Sequence, residues 1–298
     1  MGWKTIIINE ECKISLNYNS MRVHVDGEYI NVPISDIDTV IFSHEKMILT
    51  IPILSKLIEH NVNVLICNDK NDPIGVFNPF NNHSLSFKQL NKQINWKITR
   101  KKKLWKKIVE DKIQTEIDAL LLLDITDQIY TLKQYQESVY NDDQTNREAA
   151  SAKLYFSLLF GSDFKRDDEG EINYALNYGY KIIASYITKC IASRGLLSQL
   201  GIHHIGESNP FNLTYDFIET FRCIIDIWVY ENVINKFTIQ QKHELIDILN
   251  CKVKINNKWI RLNDGIEDII DSYIGFLNDK TEDILSLDLS VGIKKDEC

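Results

Sequence analysis

The sequence predicts an α+β protein, with a β-rich N-terminal domain over residues 1–84 and a mainly α-helical domain over 85–298. Three observations carry this. Residues 3–43 break into short segments rich in β-branched and aromatic residues, TIIIN, KISLNY, MRVHVD, EYINVPI and DTVIFS, with YNS and DG as turn signals between them. From about residue 85 the texture changes to QLNKQINWKITRKKKLWKKIVEDKIQTEIDALLLL, which is proline-free and helical in period. Helical spacing then continues through 146–160, 172–194, 213–236 and 238–249. Between these two textures, KMILTIPILSKLIEHN reads as one helix with Leu54, Leu57 and Ile58 on its apolar side, and NVNVLICND reads as a strand. DPIGVFNPF follows, where Pro73, Gly75 and Pro79 are expected to break regular structure. No repeat of solenoid length is visible. The end of the chain, SLDLSVGIKKDEC, reads as a frayed polar tail.

Composition narrows the function classes. At 298 residues, with 44% hydrophobic and 26% charged residues, the chain can bury two cores and has the balance of a globular protein. No apolar run approaches the roughly 18 residues of a membrane span. MGWKTIIINEECK lacks the apolar core and cleavage site of a signal peptide, and Ile6 breaks the myristoylation pattern. A cytoplasmic protein without a membrane partner is expected. Six scattered cysteines, Cys12, Cys67, Cys190, Cys223, Cys251 and Cys298, form no C-x-x-C pair, which points to reduced thiols and against a structural zinc site. The net charge of −8 argues against nucleic acid only on average, because binding follows local patches.

One such patch is WKITRKKKLWKKIVEDK, residues 96–112. On a helix, Lys103 and Lys107 lie one turn apart beside Arg100, while Ile98, Leu104 and Trp105 can face the protein. The stripe reads either as a phosphate-tracking surface or as an ordinary solvated face. Further on, Thr145 or Asn146 can cap a helix in TNREAASAKLYFSLLFG. There Glu148 shares a face with Ala152, Tyr155 and Leu159, so its carboxylate turns inward and needs a cation or hydrogen bonds. A wet first-turn glutamate answering the helix dipole is the alternative.

GIHHIGESNPFNLTYDFIETFR, residues 201–222, places Asp216 and Glu219 three apart at the start of a helix with Phe217, Phe221, Ile224 and Trp228 as its apolar stripe. Two histidines, His203 and His204, precede them by about a dozen residues. An imidazole with carboxylates makes a mixed shell suited to Mn²⁺, or to Mg²⁺ with retained waters. The bland reading of the same acids is a helix start.

At this point the motifs resemble a family. NREAASAKLYF, LFGSDFKRD, INYALNYGY and GIHH followed by NPFNLTYDFIETFR are similar, in that order, to the CRISPR-associated integrase (Cas1) family in its type II form. At the front, MGWKTIIIN, VPISDIDTVIF, LTIPILSKLIEHNVNVLICND and PIGVFNPF extend the resemblance over roughly residues 1–235. It implies an N-terminal β-sandwich that serves in dimerisation and an all-α C-terminal catalytic domain. It puts the metal glutamate at Glu148, the metal histidine at His204 and the acidic ligand at Glu219, with Asp216 as a further ligand or a group behind one. Tyr178 matches a tyrosine near the active centre, and Arg222 a basic residue facing the scissile phosphate. Cys223 departs from the family, where proline is common, and residues 236–298 match no motif.

The resemblance implies an Mg²⁺- or Mn²⁺-dependent DNA endonuclease and integrase that joins prespacer 3′-hydroxyl ends to the CRISPR repeat by transesterification. Its implied partners are DNA, a second copy of the chain, the small second Cas subunit and other type II adaptation proteins. On our reading Arg100, Lys103, Lys106 and Lys107 then grip DNA. Two other function classes are carried beside it: a non-integrating metal-dependent nuclease, and a non-catalytic DNA-binding scaffold.

Overall fold

The computed structural model describes residue 2 and residues 4–69, 73–77, 86–233 and 235–294. The front of the chain forms strands β1 (Lys4–Ile8), β2 (Lys13–Asn17), β3 (Ser20–Val25), β4 (Glu28–Pro33), β5 (Ile37–Phe42) and β6 (Ile48–Leu49). Helix α1 (Ile51–Glu59) and strands β7 (Asn63–Cys67) and β8 (Pro73–Phe77) complete it. They make two four-stranded sheets, one in the order β1-β5-β7-β8 and one in the order β4-β3-β2-β6. Period-two alternation explains the layering. Val40, Phe42 and Val64 face Ile14 and Met21 of the second sheet, with Ile53 and Leu57 of α1 closing that core. Ile41 and Leu65, on the opposite face, join the core of the helical region. Every residue of β5 is therefore buried, including the polar Asp38 and Thr39.

Two expectations need amending here. Pro73 and Gly75 do not break regular structure, because β8 is an edge strand and an edge tolerates proline at its first residue. The proposed boundary at 84/85, like Pro79, falls outside the described residues.

The rest of the chain is helical as expected: α2 (Ser86–Ile94), α3 (Ile98–Leu122), α4 (Ile129–Glu137), α5 (Arg147–Phe160), α6 (Glu171–Ser193), α7 (Asn212–Ile218), α8 (Arg222–Asn232) and α9 (Ile239–Ile246). It is not all-α, however. Strands β9 (Lys252–Ile255), β10 (Lys258–Arg261) and β11 (Leu287–Asp288) form a small antiparallel sheet around α10 (Leu262–Leu277). Residues 286–294 are thus no frayed tail: Leu287 and Leu289 are buried in the core. The KDEC end, with Cys298, lies outside the described residues after Lys294. Cys12, Cys190, Cys223 and Cys251 are buried free thiols. Among the described residues no helix is long and apolar enough to cross a membrane.

Helix α3 runs through the middle of this region, packed by α4, α5, α8 and α10. At 25 residues it is about 37 Å long. Neighbours on several sides bury Asp111, Lys112, Glu116 and Asp118 along with its apolar residues. Ile98, expected to face inward, is exposed, since it opens the helix just after the break at residues 95–97.

Besides the apolar contacts of Ile41 and Leu65, a buried ion pair joins the strand-rich and helical regions. Lys189 Nζ of α6 donates to Asp38 Oδ1 of β5 at 2.9 Å, and both side chains are nearly inaccessible. Asp38→Ala strands the Lys189 charge and is expected to destabilise the chain by about 3–5 kcal/mol in urea unfolding, with Lys189→Met recovering most of that in the double variant. A loss below about 1 kcal/mol would show the pair to be no stronger than a surface bridge.

Candidate active site

The centre of the site is an ammonium group. Lys112 Nζ donates to Glu219 Oε2 at 2.7 Å and to Glu148 Oε1, joining three separate helical segments. Lys112 comes from the middle of α3 and Glu148 from the first turn of α5. Glu219 opens a single 3₁₀ turn, Glu219–Phe221, between α7 and α8. Burial opposes the Lys112 charge, but the attraction of Glu219, Glu148 and Glu116 outweighs it and holds its pKa above the ordinary lysine value. Burial likewise acts to raise Glu219, yet Arg222 and Lys112 hold it well below the usual carboxylate range. Arg222 makes a fork on the other oxygen, with Nε and Nη2 at 3.0 and 2.9 Å from Glu219 Oε1.

The start of α5 is set by a residue outside the expected cap. Asn146 caps nothing with its side chain and sits in the left-handed region. Asp143 accepts instead from the backbone N–H groups of Arg147 and Glu148, at 2.8 and 2.9 Å. Glu148 is therefore held by its backbone while its carboxylate turns to Lys112.

A second carboxylate organises the histidine loop. Asp216 is fully buried and accepts four hydrogen bonds: from the N–H groups of Ile202 (2.6 Å), His203 (3.3 Å) and His204 (2.9 Å), and from Nδ1 of His204 (2.8 Å). Gly201 makes this possible, since a Cβ there would lie 2.2 Å from the His204 carbonyl oxygen and 2.7 Å from Asp216 Oδ2. His203 stacks flat on Trp105 of α3, with centroids 4.1 Å apart, and Nδ1 of His204 is fixed by Asp216. The hydrogen bond to Asp216 raises the His204 pKa against the opposing effect of burial.

Beside Lys112 lies a polar cavity of 180 Å³, lined by Glu116, Glu148, Glu219, Asp226, Arg166, Arg222, Tyr155 and Tyr180. Burial pushes Glu116 up to about 8 and Asp226 up to about 6. Tyr180 donates to Asp226, and the Arg222 guanidinium lies 4.6 Å over the Tyr180 ring. α6 and α8 come this close because Gly179 has no side chain; a Cβ would fall 2.5 Å from Ile225 Cγ2.

Glu148, Glu219 and Arg222 are thus brought together, and His204 and Asp216 stand beside them. Asp216 spends both oxygens on the loop and acts behind His204. Tyr178 is not brought to this cavity. It lines a separate one with Phe237, Lys181 and Lys242, because two residues along a helix is more than half a turn, and Tyr180 takes the place beside Arg222. Among the expected DNA contacts, Arg100 is engaged by Asp279 (2.8 Å) and Glu282 (2.9 Å), Lys107 by Asp111 (2.6 Å) and Lys106 by Glu110 (3.5 Å). Lys103 is exposed with no acidic partner among the described residues. Sequence reasoning missed Lys112, Glu116, Asp226, Tyr180 and Arg166. The available signal was Lys112 on the same helical face as Ile108 and Ala119, a charge inside an apolar stripe.

Comparisons with known proteins agree with this geometry. The family model for CRISPR associated protein Cas1 matches residues 5–254. The chain is 32% identical over 295 residues to the CRISPR-associated endonuclease Cas1 of Neisseria meningitidis, covering 96% of each. The chain belongs to the Cas1 family. Cas1 relatives also share the α+β architecture: a Cas1 protein from Thermotoga maritima superposes with a TM-score of 0.74 at 16% identity, covering 92% of this chain and 97% of that one. A casposase bound to integration product superposes with a TM-score of 0.76 at 21% identity, covering 94% and 92%.

Among the described residues no three His, Cys, Asp or Glu side chains are gathered as a metal group. The donors nevertheless fit a divalent cation. Glu148 and Glu219 already converge on one positive charge, and Asp216 engages Nδ1 of His204, so that Nε2 is the nitrogen left to ligate. The imidazole is expected to titrate above the ordinary histidine value of about 6.5, and Asp216→Asn to bring it back down. The stabilisation from this pair is fully present below the unfolded histidine value and is lost as pH rises through the raised folded one. An NMR titration of the ring checks both; an unchanged His204 curve in Asp216→Asn would remove Asp216 as the cause.

Proposed function

We propose that the chain is the integrase of CRISPR adaptation in a type II system, a metal-dependent enzyme that joins the 3′-hydroxyl ends of a short foreign DNA to the CRISPR repeat by transesterification. The observation that carries this reading is the convergence of Glu148 and Glu219 on one cation position beside His204. Membership of the Cas1 endonuclease family supports the chemistry, and the likeness to a casposase bound to integration product supports joining as well as cutting.

Glu148, Glu219 and Nε2 of His204 would hold the ion. Mg²⁺ or Mn²⁺ there would polarise the scissile phosphate and stabilise the attacking and leaving oxygens. Asp216 fixes the imidazole tautomer with Nδ1 protonated. The Arg222 fork keeps Glu219 oriented and adds positive charge where the phosphorane-like transition state gathers negative charge. The β-sandwich serves in homodimerisation, and the dimer assembles with the small second Cas subunit, prespacer DNA and other type II adaptation proteins. A complex containing Cas1 and Cas2 among the structural neighbours supports assembly with the small second Cas subunit (TM-score 0.70, 16% identity, covering 93% of this chain and 35% of that one).

Strand transfer of a short duplex into a supercoiled, repeat-bearing plasmid tests the reading. Joining is expected with Mn²⁺ or Mg²⁺ and to fall by about a thousandfold in Glu148→Ala and His204→Ala. Joining that survives either change sinks the site, and cleavage without joining favours a nuclease. For DNA binding, Lys103→Glu is expected to weaken affinity and lower the salt slope by about one. A salt titration with no change in slope would remove Lys103 from the interface.

A further inference from the structure

Two features of α3 remain unused by the proposed chemistry. The Lys112 ammonium sits where Glu148 and Glu219 converge, the same place a divalent ion requires. One turn further on, Glu116 is 1% exposed and lines the same cavity, and its Oε2 has no hydrogen-bond partner among the described residues. A buried carboxyl oxygen left without a hydrogen-bond partner is rare and calls for an explanation. Residues i and i+4 face the same side of a helix, about 5–6 Å apart at Cβ, so a lysine stem of four carbons reaches either place by rotating its side chain. An ammonium and a divalent ion cannot share one pair of carboxylates, because like charges at contact repel strongly in a low dielectric.

We propose that Lys112 is a two-position internal cation: its ammonium neutralises Glu148 and Glu219 until a divalent ion arrives, then withdraws to Oε2 of Glu116. The withdrawal keeps the site intact in both states. Without metal, Glu148 and Glu219 are spared mutual repulsion. With metal, the displaced ammonium meets the Glu116 carboxyl in the cavity, which releases its proton to solvent as the ion pair forms, and the lysine stays beside the reacting phosphate. Lys112 in this scheme is a positioning residue, and the inference rests on the metal-dependent reading above.

The test is direct Mn²⁺ binding to the full chain by calorimetry, with no DNA and no turnover. Lys112→Met removes the competitor and is expected to bind Mn²⁺ about tenfold more tightly than the wild type. Glu116→Met, of similar length, removes the landing place and is expected to weaken binding by about fivefold. In the Lys112→Met background, Glu116→Met is expected to change nothing further, since no ammonium remains to be received. Equal or weaker Mn²⁺ binding by Lys112→Met overturns the proposal, as does an identical effect of Glu116→Met in both backgrounds. Should a variant fail to fold, the wild type still decides. In ¹⁵N-lysine NMR, the slowly exchanging Lys112 ammonium signal, assigned by its loss in Lys112→Arg, is expected to shift on adding Mg²⁺, and an unmoved signal while Mg²⁺ binds overturns the proposal. No divalent binding by wild type or variants is a different result, because it removes the metal site itself.

Discussion

Carboxylates gathered in a protein interior need a positive charge among them, and here that charge is Lys112. Glu116, Glu148, Glu219 and Asp226 line one small cavity, and Lys112, Arg166 and Arg222 are the cations that face them. Removing one partner of such a buried set costs several kcal/mol, far more than an exposed bridge contributes. The architecture of the helical region follows from this need. A central helix must carry the lysine inward, and other segments must deliver their acids to it from at least two sides. α3 does the first, while α5 and the turn between α7 and α8 do the second. The C-terminal residues that match no motif serve the same end. Ser286 donates to Asp111 at 2.9 Å, next to Lys112, and Tyr273 of α10 meets Thr220, next to Glu219, at 3.1 Å.

Asp216 answers a different constraint with the same kind of group. A loop passing beside a buried site must satisfy its own N–H groups. Three consecutive amides, of Ile202, His203 and His204, all end on this one carboxylate, as does the His204 ring. The cost of burying Asp216 is offset by four donors, and the result is a histidine whose place is fixed by backbone as well as side chain. Trp105 then closes the other side by stacking on His203. The pairing of two adjacent histidines thus has a division of labour: one packs, and the other presents a nitrogen.

The sequence showed most of the fold because period decides it. The β-branched runs of β5 and β7 and the helical spacing of α5 and α6 are local properties. Glu148 was legible as an inward carboxylate for the same reason, by its place on the same face as Tyr155 and Leu159. What was not legible depends on which helix lies against which. Nothing near Lys112 reveals that residues 36 and 107 positions away will meet it. Tyr178 and Tyr180 are alike in sequence, and only the close approach of α8 at Gly179 separates their surroundings. Strands β9 to β11 escaped notice because KVKI and KWIR are four residues each and half charged, and β11 has only two residues, all too short to show a period.

The basic stripe on α3 shows how a fold revises a charge pattern. Lys106 and Glu110, 3.5 Å apart and both about a third exposed, form a pair of the kind worth little, so a phosphate can replace Glu110 at small cost. Lys107 differs, because its partner Asp111 is 9% exposed and burial raises its pKa; withdrawing the lysine would leave an unpaired carboxylate inside the protein. Arg100 is anchored further still, with its guanidinium 4.3 Å over the Phe276 ring and held by Asp279 and Glu282. It ties α3 to the end of α10. Of the four residues the stripe offered to DNA, Lys103 is without an acidic partner among the described residues and Lys106 is cheaply released, while Arg100 and Lys107 belong to the fold.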